Sequence, residues 1–169
     1  RTRLRPAYTE DELHEIYKTP HSHDKWIDHK VRVQVTLGVA AFYQDVQSIA
    51  DLSCGDAWII TNLSAERKYL GDFAPKYPIC GPIEKTIDEI PDVDLFICSE
   101  TLEHLDDPDL VLRKIRQKAK HLVLSTPSNE TTPDENPEHY WGWDKSGVKK
   151  MLKDAGWKPD VFNHLTFPN

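Results

Sequence analysis

Glycine is scarce in this chain: seven in 169 residues, with no GxGxxG and no P-loop lysine. Backbone cradles for a pyrophosphate use such glycines, so a pyrophosphate cofactor has no support here. Cysteine is scarcer still, with Cys54, Cys80 and Cys98 only. An odd number without paired metal-ligand spacing argues against a disulfide framework and fits reduced thiols in a cytoplasmic protein. There is no excess of positive charge; the net charge is −7, which disfavours a broad nucleic-acid surface without excluding a local one. No apolar run approaches the roughly 20 residues of a membrane span, and no signal-peptide pattern is visible.

What is present fits one domain with a substantial core. Thr9 and Glu12 form a capping-box signature, predicting a helix over residues 10–18. Residues 24–43 read as a second helix with Asp24 as N-cap, although 31–37 alone alternates like a strand. Residues 1–45 are thus expected to form a helical extension or lid on a core of residues 46–169. In that core, strand-like runs at 48–52, 67–70, 77–80, 93–98 and 121–125 alternate with helical segments. Pro108 suits the first turn of a helix over 109–118, and Gly156 suits the end of one over 145–155. This alternation predicts βαβ units and a largely parallel sheet. One further strand fits around 161–167. The loop 126–144, with three prolines, five acidic residues and three aromatics, is too long for a plain connection and reads as functional.

Ligands of an open parallel sheet bind beyond the carboxyl ends of its strands. Five features fall there: Asp51 to Ala57, Gly71-Asp72, Gly81-Pro82, Ser99-Glu100 and Thr126-Pro127. A carboxylate at Asp72, ending the second core strand, can accept hydrogen bonds from ribose hydroxyls. A nucleoside with a compact polar tail would suit the small-residue turn.

The segments IADLSCGDA, YLGDF, VDLFICSETLEHLDDPDLVLRKI, HLVLSTP and DKSGVKKMLKDAGW together resemble the class I S-adenosylmethionine-dependent methyltransferases. The resemblance covers about residues 46–158, and is nearest to compact stand-alone members of the kind found in bacteria and phages. It implies a Rossmann-like α/β fold with helices on both faces of a mostly parallel sheet, reduced at its C-terminal end. It also implies S-adenosylmethionine as cofactor. Asp51, Ser53, Cys54 and Gly55 would bind its methionine part, and Asp72 its ribose. Phe73, Gly81, Pro82 and Ile83 would border the adenine, while Cys98, Ser99 and Glu100 would line the floor. The sequence departs from that pattern at Ser53 and Ala57, where glycines are usual. It also lacks an acidic residue after the third strand and a glycine-rich turn before the fifth.

Glu100, Glu103 and His104 share one face if their stretch is helical, and the loop residue His139 could join them. Two carboxylates and two imidazoles can hold a divalent cation; mixed oxygen and nitrogen ligation favours manganese, iron, cobalt or zinc. These residues resemble those of metal-dependent RNA 3′-terminal 2′-O-methyltransferases and of ubiquinone-pathway O-methyltransferases. The plainer reading is a glutamate near the cofactor, with His104 or His139 as general base. In HSHDKWIDHKVR, Arg32 or a histidine could meet the methionine carboxylate. The preferred reading packs Trp26 on the sheet and leaves the polar residues in solvent; a zinc site from His21, His23 and His29 lacks cysteine partners.

The reading is methyl transfer to oxygen or nitrogen of a small-molecule or nucleoside-type acceptor, without a membrane. Two alternatives stand beside it: a methyltransferase-fold binding module without turnover, suggested by Ser53 and Ala57, and a metal-dependent RNA 2′-O-methyltransferase.

Overall fold

The computed structural model describes residues 1–20, 22, 26–132 and 136–166. The chain runs β1 (Thr2–Arg3), α1 (Glu10–Ile16), α2 (Ile27–Ala40), β2 (Ser48–Asp51), α3 (Trp58–Thr61), β3 (Arg67–Asp72), β4 (Ile79–Cys80) and α4 (Ile83–Thr86). It continues with β5 (Val93–Ser99), α5 (Pro108–Lys118), β6 (Ala119–Ser125), β7 (Trp141–Gly142) and α6 (Lys145–Asp154), with 3-10 turns at Ile87–Glu89 and Leu102–His104. Five strands form a parallel sheet in the order β4-β3-β2-β5-β6.

Period-two alternation sends neighbouring side chains of the central strands to opposite faces. Ile49, Leu95 and Ile97 pack with Val33 and Ala40 of α2 and with Ile59 and Ile60 of α3. Ala50, Phe96 and Cys98 pack with Ile83, with Leu112 and Ile115 of α5, and with Met151 of α6. Helices therefore cover both faces, as expected. The strand order reverses between β2 and β5, the switch point where the loops at the carboxyl ends diverge and leave a crevice.

Local signals set most boundaries. Thr9 and Glu12 make a reciprocal capping box on α1, which ends at Ile16 rather than 18. Asp107 caps α5 with Pro108 in its first turn, and Asp144 accepts from Gly147 N to cap α6. α2 begins at Ile27 after an extended Trp26, and ends at Ala40. The expected cap Asp24 lies outside the described residues, as do His21 and His23.

Two expectations fail. No strand forms over the described residues 161–166. Lys145 and Lys149 hold the Phe162 ring, and His164 meets Ser128 Oγ at 3.1 Å, so side-chain anchors at α6 and the long loop replace a ladder. That leaves β6 as the outer strand and the sheet reduced, as predicted. The second failure concerns the preferred reading of α2. Trp26 is 46% exposed, whereas the Arg32 side chain is only 11% exposed and reaches the end of β5.

A second, two-stranded sheet joins the N-terminal segment to the long loop after β6. β1 pairs antiparallel with β7, Thr2 opposite Gly142 and Arg3 opposite Trp141. Arg1 and Arg3 lie over the Trp141 ring, while Tyr8 OH and Arg5 both donate to the Pro137 carbonyl. The N-terminal strap thereby fixes the long loop. A Cβ on Gly142 would stand 2.1 Å from the Glu130 carbonyl oxygen, so the backbones meet at glycine distance. Gly142→Ala is expected to cost about 1–3 kcal/mol through this overpacking, read as a lower midpoint in urea at unchanged slope. An unchanged midpoint would mean that the two backbones separate freely.

Candidate functional site

A cleft of about 1230 Å³ opens over the carboxyl ends of the strands, lined among others by Ser53, Gly55, Asp72, Phe73, Ser99 and Glu100. Asp51 ends β2 and is 2% exposed, its Oδ1 accepting from Ser53 N at 3.2 Å. The following turn is closed by Cys54 N donating to the Gly71 carbonyl and Ala57 N to that of Cys54. Gly55 (φ 54°) and Ala57 (φ 65°) are both left-handed. Ala57 thus keeps a backbone that favours glycine, at a cost of order 1 kcal/mol. Its methyl group packs in the apolar cluster under the turn and lines no part of the cleft. Cys54 and Cys98 are likewise buried in the core away from the cleft wall.

Asp72 organises the next wall. Oδ2 accepts from Gly55 N at 2.7 Å and Oδ1 from Ala74 N at 2.9 Å, tying the end of β3 to the β2 turn. Phe73 lies beneath α1, its ring 5.0 Å from that of His14 and 5.9 Å from that of Tyr17. Gly81, Pro82 and Ile83 close the far side before α4.

Burial pushes the Asp51 carboxyl up to about 7, and the nearby Asp72 adds to the shift. The raised native value means that Asp51 favours folding below its unfolded pKa, near 4, and that this stability is lost as pH rises through about 7. Asp51→Asn removes that loss while keeping an acceptor for Ser53 N. The variant is expected to gain stability over wild type between pH 5 and pH 8, by roughly 3 kcal/mol. Urea unfolding at both pH values checks this; a constant difference would contradict it.

The second constellation follows β5. Glu100 has φ 51°, an uncommon backbone for a residue with a side chain, and such strain clusters at functional sites. This left-handed backbone breaks the helical face Glu100 was expected to share with Glu103 and His104. The Glu100 carboxylate pairs instead with Arg32, at 3.9 Å from Nε. Glu103 and His104 sit on the 3-10 turn that follows, and His139 comes from the long loop. One ligand atom from each of Glu103, His104 and His139 lies within 4.8 Å of the others. Three of the four expected cation ligands therefore come together, and Glu100 stands aside.

Glu103 is fully buried. Its Oε2 accepts from Thr126 Oγ1 at 2.9 Å, while Oε1 is buried without a hydrogen-bond partner, 4.0 Å from His104 Nε2. Desolvation, then the charge of Glu100, hold the Glu103 carboxyl well above the ordinary carboxylate range. His104 Nδ1 lies 3.1 Å from both the Glu138 carbonyl oxygen and the Tyr17 hydroxyl. A carbonyl only accepts, so the tautomer protonated at Nδ1 satisfies it and turns the Nε2 lone pair toward Glu103. His139 is set in the same way. Its Nδ1 donates to Glu130 Oε2 at 2.6 Å, and its Nε2 accepts from Asn136 Nδ2 at 3.0 Å, a bond that a cation on Nε2 would displace. A carboxylate behind a histidine is the usual support of a metal-ligating imidazole.

Sequence reasoning missed Tyr17, Glu130 and Asn136. Tyr17 follows a short helix with no motif, and the other two stand in a polar loop where any of several residues could have faced His139.

No protein-family model and no curated protein matches the chain. Solved structures do. A SAM-dependent methyltransferase from Archaeoglobus fulgidus is 18% identical with a TM-score of 0.57, the match covering 74% of this chain and 68% of that one. The small RNA methyltransferase HEN1 is 17% identical with a TM-score of 0.61, over 92% of this chain and 23% of that one. The [4+2]-cyclase SpnF is 14% identical with a TM-score of 0.63, over 92% and 75%. This chain has the fold of solved S-adenosylmethionine-dependent methyltransferases.

Proposed function

We propose that the protein transfers a methyl group from S-adenosylmethionine to a hydroxyl oxygen of a nucleoside-type acceptor, with a divalent cation held by Glu103, His104 and His139. The observation that carries this reading is the buried Glu103 Oε1, without a hydrogen-bond partner and facing two imidazoles. An orphaned buried carboxylate oxygen is costly, and a cation would satisfy it. One carboxylate and two imidazoles suit manganese, iron, cobalt or zinc better than a magnesium cage.

The cleft also fits the cofactor. Asp72 has lone pairs beyond those committed to Gly55 and Ala74, and can accept from ribose hydroxyls. Phe73, Pro82 and Ile83 all line the cleft where the adenine is expected, and Asp51, buried behind the β2 turn, would add negative charge for a cationic cofactor. When bound, the cofactor supplies an electrophilic sulfonium methyl, and the cation lowers the pKa of an acceptor hydroxyl. The chain's own contribution is orientation and exclusion of water. α1 covers Phe73, Tyr17 and Glu138 fix His104, and Glu130 fixes His139. With the cation bound, both imidazoles would be engaged as ligands and the acidified hydroxyl would lose its proton to solvent; without it, His104 Nε2 would be the base.

A second reading narrows the acceptor to the terminal ribose of an RNA. The likeness to HEN1 over 92% of this chain supports it, together with the cation cluster; the net charge of −7 speaks against an extended RNA track. Transfer of labelled methyl would be measured to ribonucleosides and to short RNAs with intact or periodate-cleaved 3′ ends, with and without chelator. Chelator-sensitive transfer to the nucleoside supports the first reading, and transfer to intact RNA ends alone supports the second. Chelator-insensitive transfer would remove the cation. A folded protein that neither binds the cofactor nor transfers methyl would be a binding module.

A further inference from the structure

Arg32 is the strongest charged group that the function just proposed does not use. It projects from the middle of α2 to the carboxyl end of β5, at the topological switch point. Nη1 donates to Ser99 Oγ at 2.6 Å, and Ser99 Oγ in turn lies 2.8 Å from Ser125 Oγ. Nε is buried and has no hydrogen-bond partner, although Glu100 Oε2 stands 3.9 Å away. At that distance the pair is an ion pair without a hydrogen bond. A guanidinium with a buried, unsatisfied Nε–H, in a site otherwise rich in carboxylates, is a receptor for one more anionic oxygen.

Glu100 has the complementary problem. Its carboxylate is 27% exposed, sits on a left-handed backbone, and is near enough to Glu103 for its charge to oppose ionisation there. Its ion pair with Arg32 lies outside the three-ligand cluster. We propose that Arg32 couples the two sites: it accepts the carboxylate of the cofactor's amino-acid end and thereby releases Glu100 to complete the cation cluster. The inference rests on the methyl-transfer reading, since it takes both the cofactor and the cation from it. Cation and cofactor then each bind more tightly when the other is present, by the same factor. A complete site forms only around the loaded enzyme.

The test is calorimetric titration of Mn²⁺ into the protein with and without saturating S-adenosylhomocysteine, and of S-adenosylhomocysteine with and without Mn²⁺. Wild type is expected to show about tenfold tightening in both directions, inside the range usual for coupled sites. Arg32→Lys keeps the charge but loses the fork. It is expected to bind S-adenosylhomocysteine about tenfold more weakly and to show no mutual tightening. Glu100→Gln is expected to lose the tightening and, with the carboxylate that competes for Arg32 neutralised, to bind S-adenosylhomocysteine more tightly than wild type in the absence of Mn²⁺. That sign, opposite to Arg32→Lys, separates coupling from cofactor contact. Thermal unfolding of each variant establishes that it is folded before titration. If both ligands bind wild type independently, or the tightening survives Arg32→Lys, the coupling is overturned while the methyl-transfer reading stands. If wild type binds no S-adenosylhomocysteine, both fall.

Discussion

Glu103→Gln is expected to make the metal-free protein more heat-stable above neutral pH, and to abolish cation binding with the methyl transfer that depends on it. Glu103 is fully buried, one of its oxygens has no hydrogen-bond partner, and its carboxyl is held well above the ordinary range. The sign follows from that direction. A native pKa above the unfolded one gives stability that is complete below the unfolded pKa and is lost as pH rises through the native value. Glutamine has no such loss, and its oxygen can still accept from Thr126 Oγ1. The variant's melting temperature should therefore exceed that of wild type more at pH 8 than at pH 5, by roughly 2–4 °C for each kcal/mol relieved. Loss of a direct ligand should lower cation affinity by at least about 100-fold, the upper end of what removing a supporting residue costs. Scanning fluorimetry at both pH values in chelator, with Mn²⁺ titration, reads both effects. Equal melting temperatures and intact Mn²⁺ binding would show that Glu103 is an ordinary buried carboxyl.

The other large effect falls on the cofactor. Asp72→Ala is expected to weaken S-adenosylhomocysteine by about 100-fold or more. Two hydrogen bonds from ribose hydroxyls to one carboxylate contribute about 1.5–3 kcal/mol each, and every 1.4 kcal/mol is tenfold. Part of the loss is indirect, because the carboxylate also holds Gly55 N at 2.7 Å and Ala74 N at 2.9 Å. Asp72→Asn retains one acceptor oxygen and should fall between alanine and wild type. Calorimetry on folded samples separates the three. Equal affinities across the series would move the ribose away from β3.

Much of this architecture was written in local pattern. β2 and β5 alternate between two apolar clusters, and Asp107 with Pro108 and Asp144 cap their helices where the residues suggest. The Glu103, His104 and His139 grouping was also foreseeable, since a turn after a central strand and a loop after its neighbour share the carboxyl edge of the sheet. Three features were not. Glu100 was expected to share a helical face with its neighbours, but its backbone is left-handed and its carboxylate pairs with Arg32. The orientation of α2 was not legible because apolar and polar residues lie all around it, so Trp26 could lie outward and Arg32 inward. The pairing of β1 with β7 joins segments about 140 residues apart through two residues each, too short for any periodicity to register. In each case a long-range partner decided what local propensity left open.

The most direct measurement of the central claim is titration of S-adenosylhomocysteine into the wild-type protein by calorimetry, at pH 6 and in two buffers of different ionisation enthalpy. A cationic cofactor group in the cleft, over the turn behind which Asp51 is buried, would favour the ionised form of Asp51, and burial keeps that carboxyl mostly protonated at pH 6. The account predicts a single site of micromolar affinity whose binding heat differs between the buffers, as Asp51 gives up its proton. No heat from a folded sample in either buffer would contradict it.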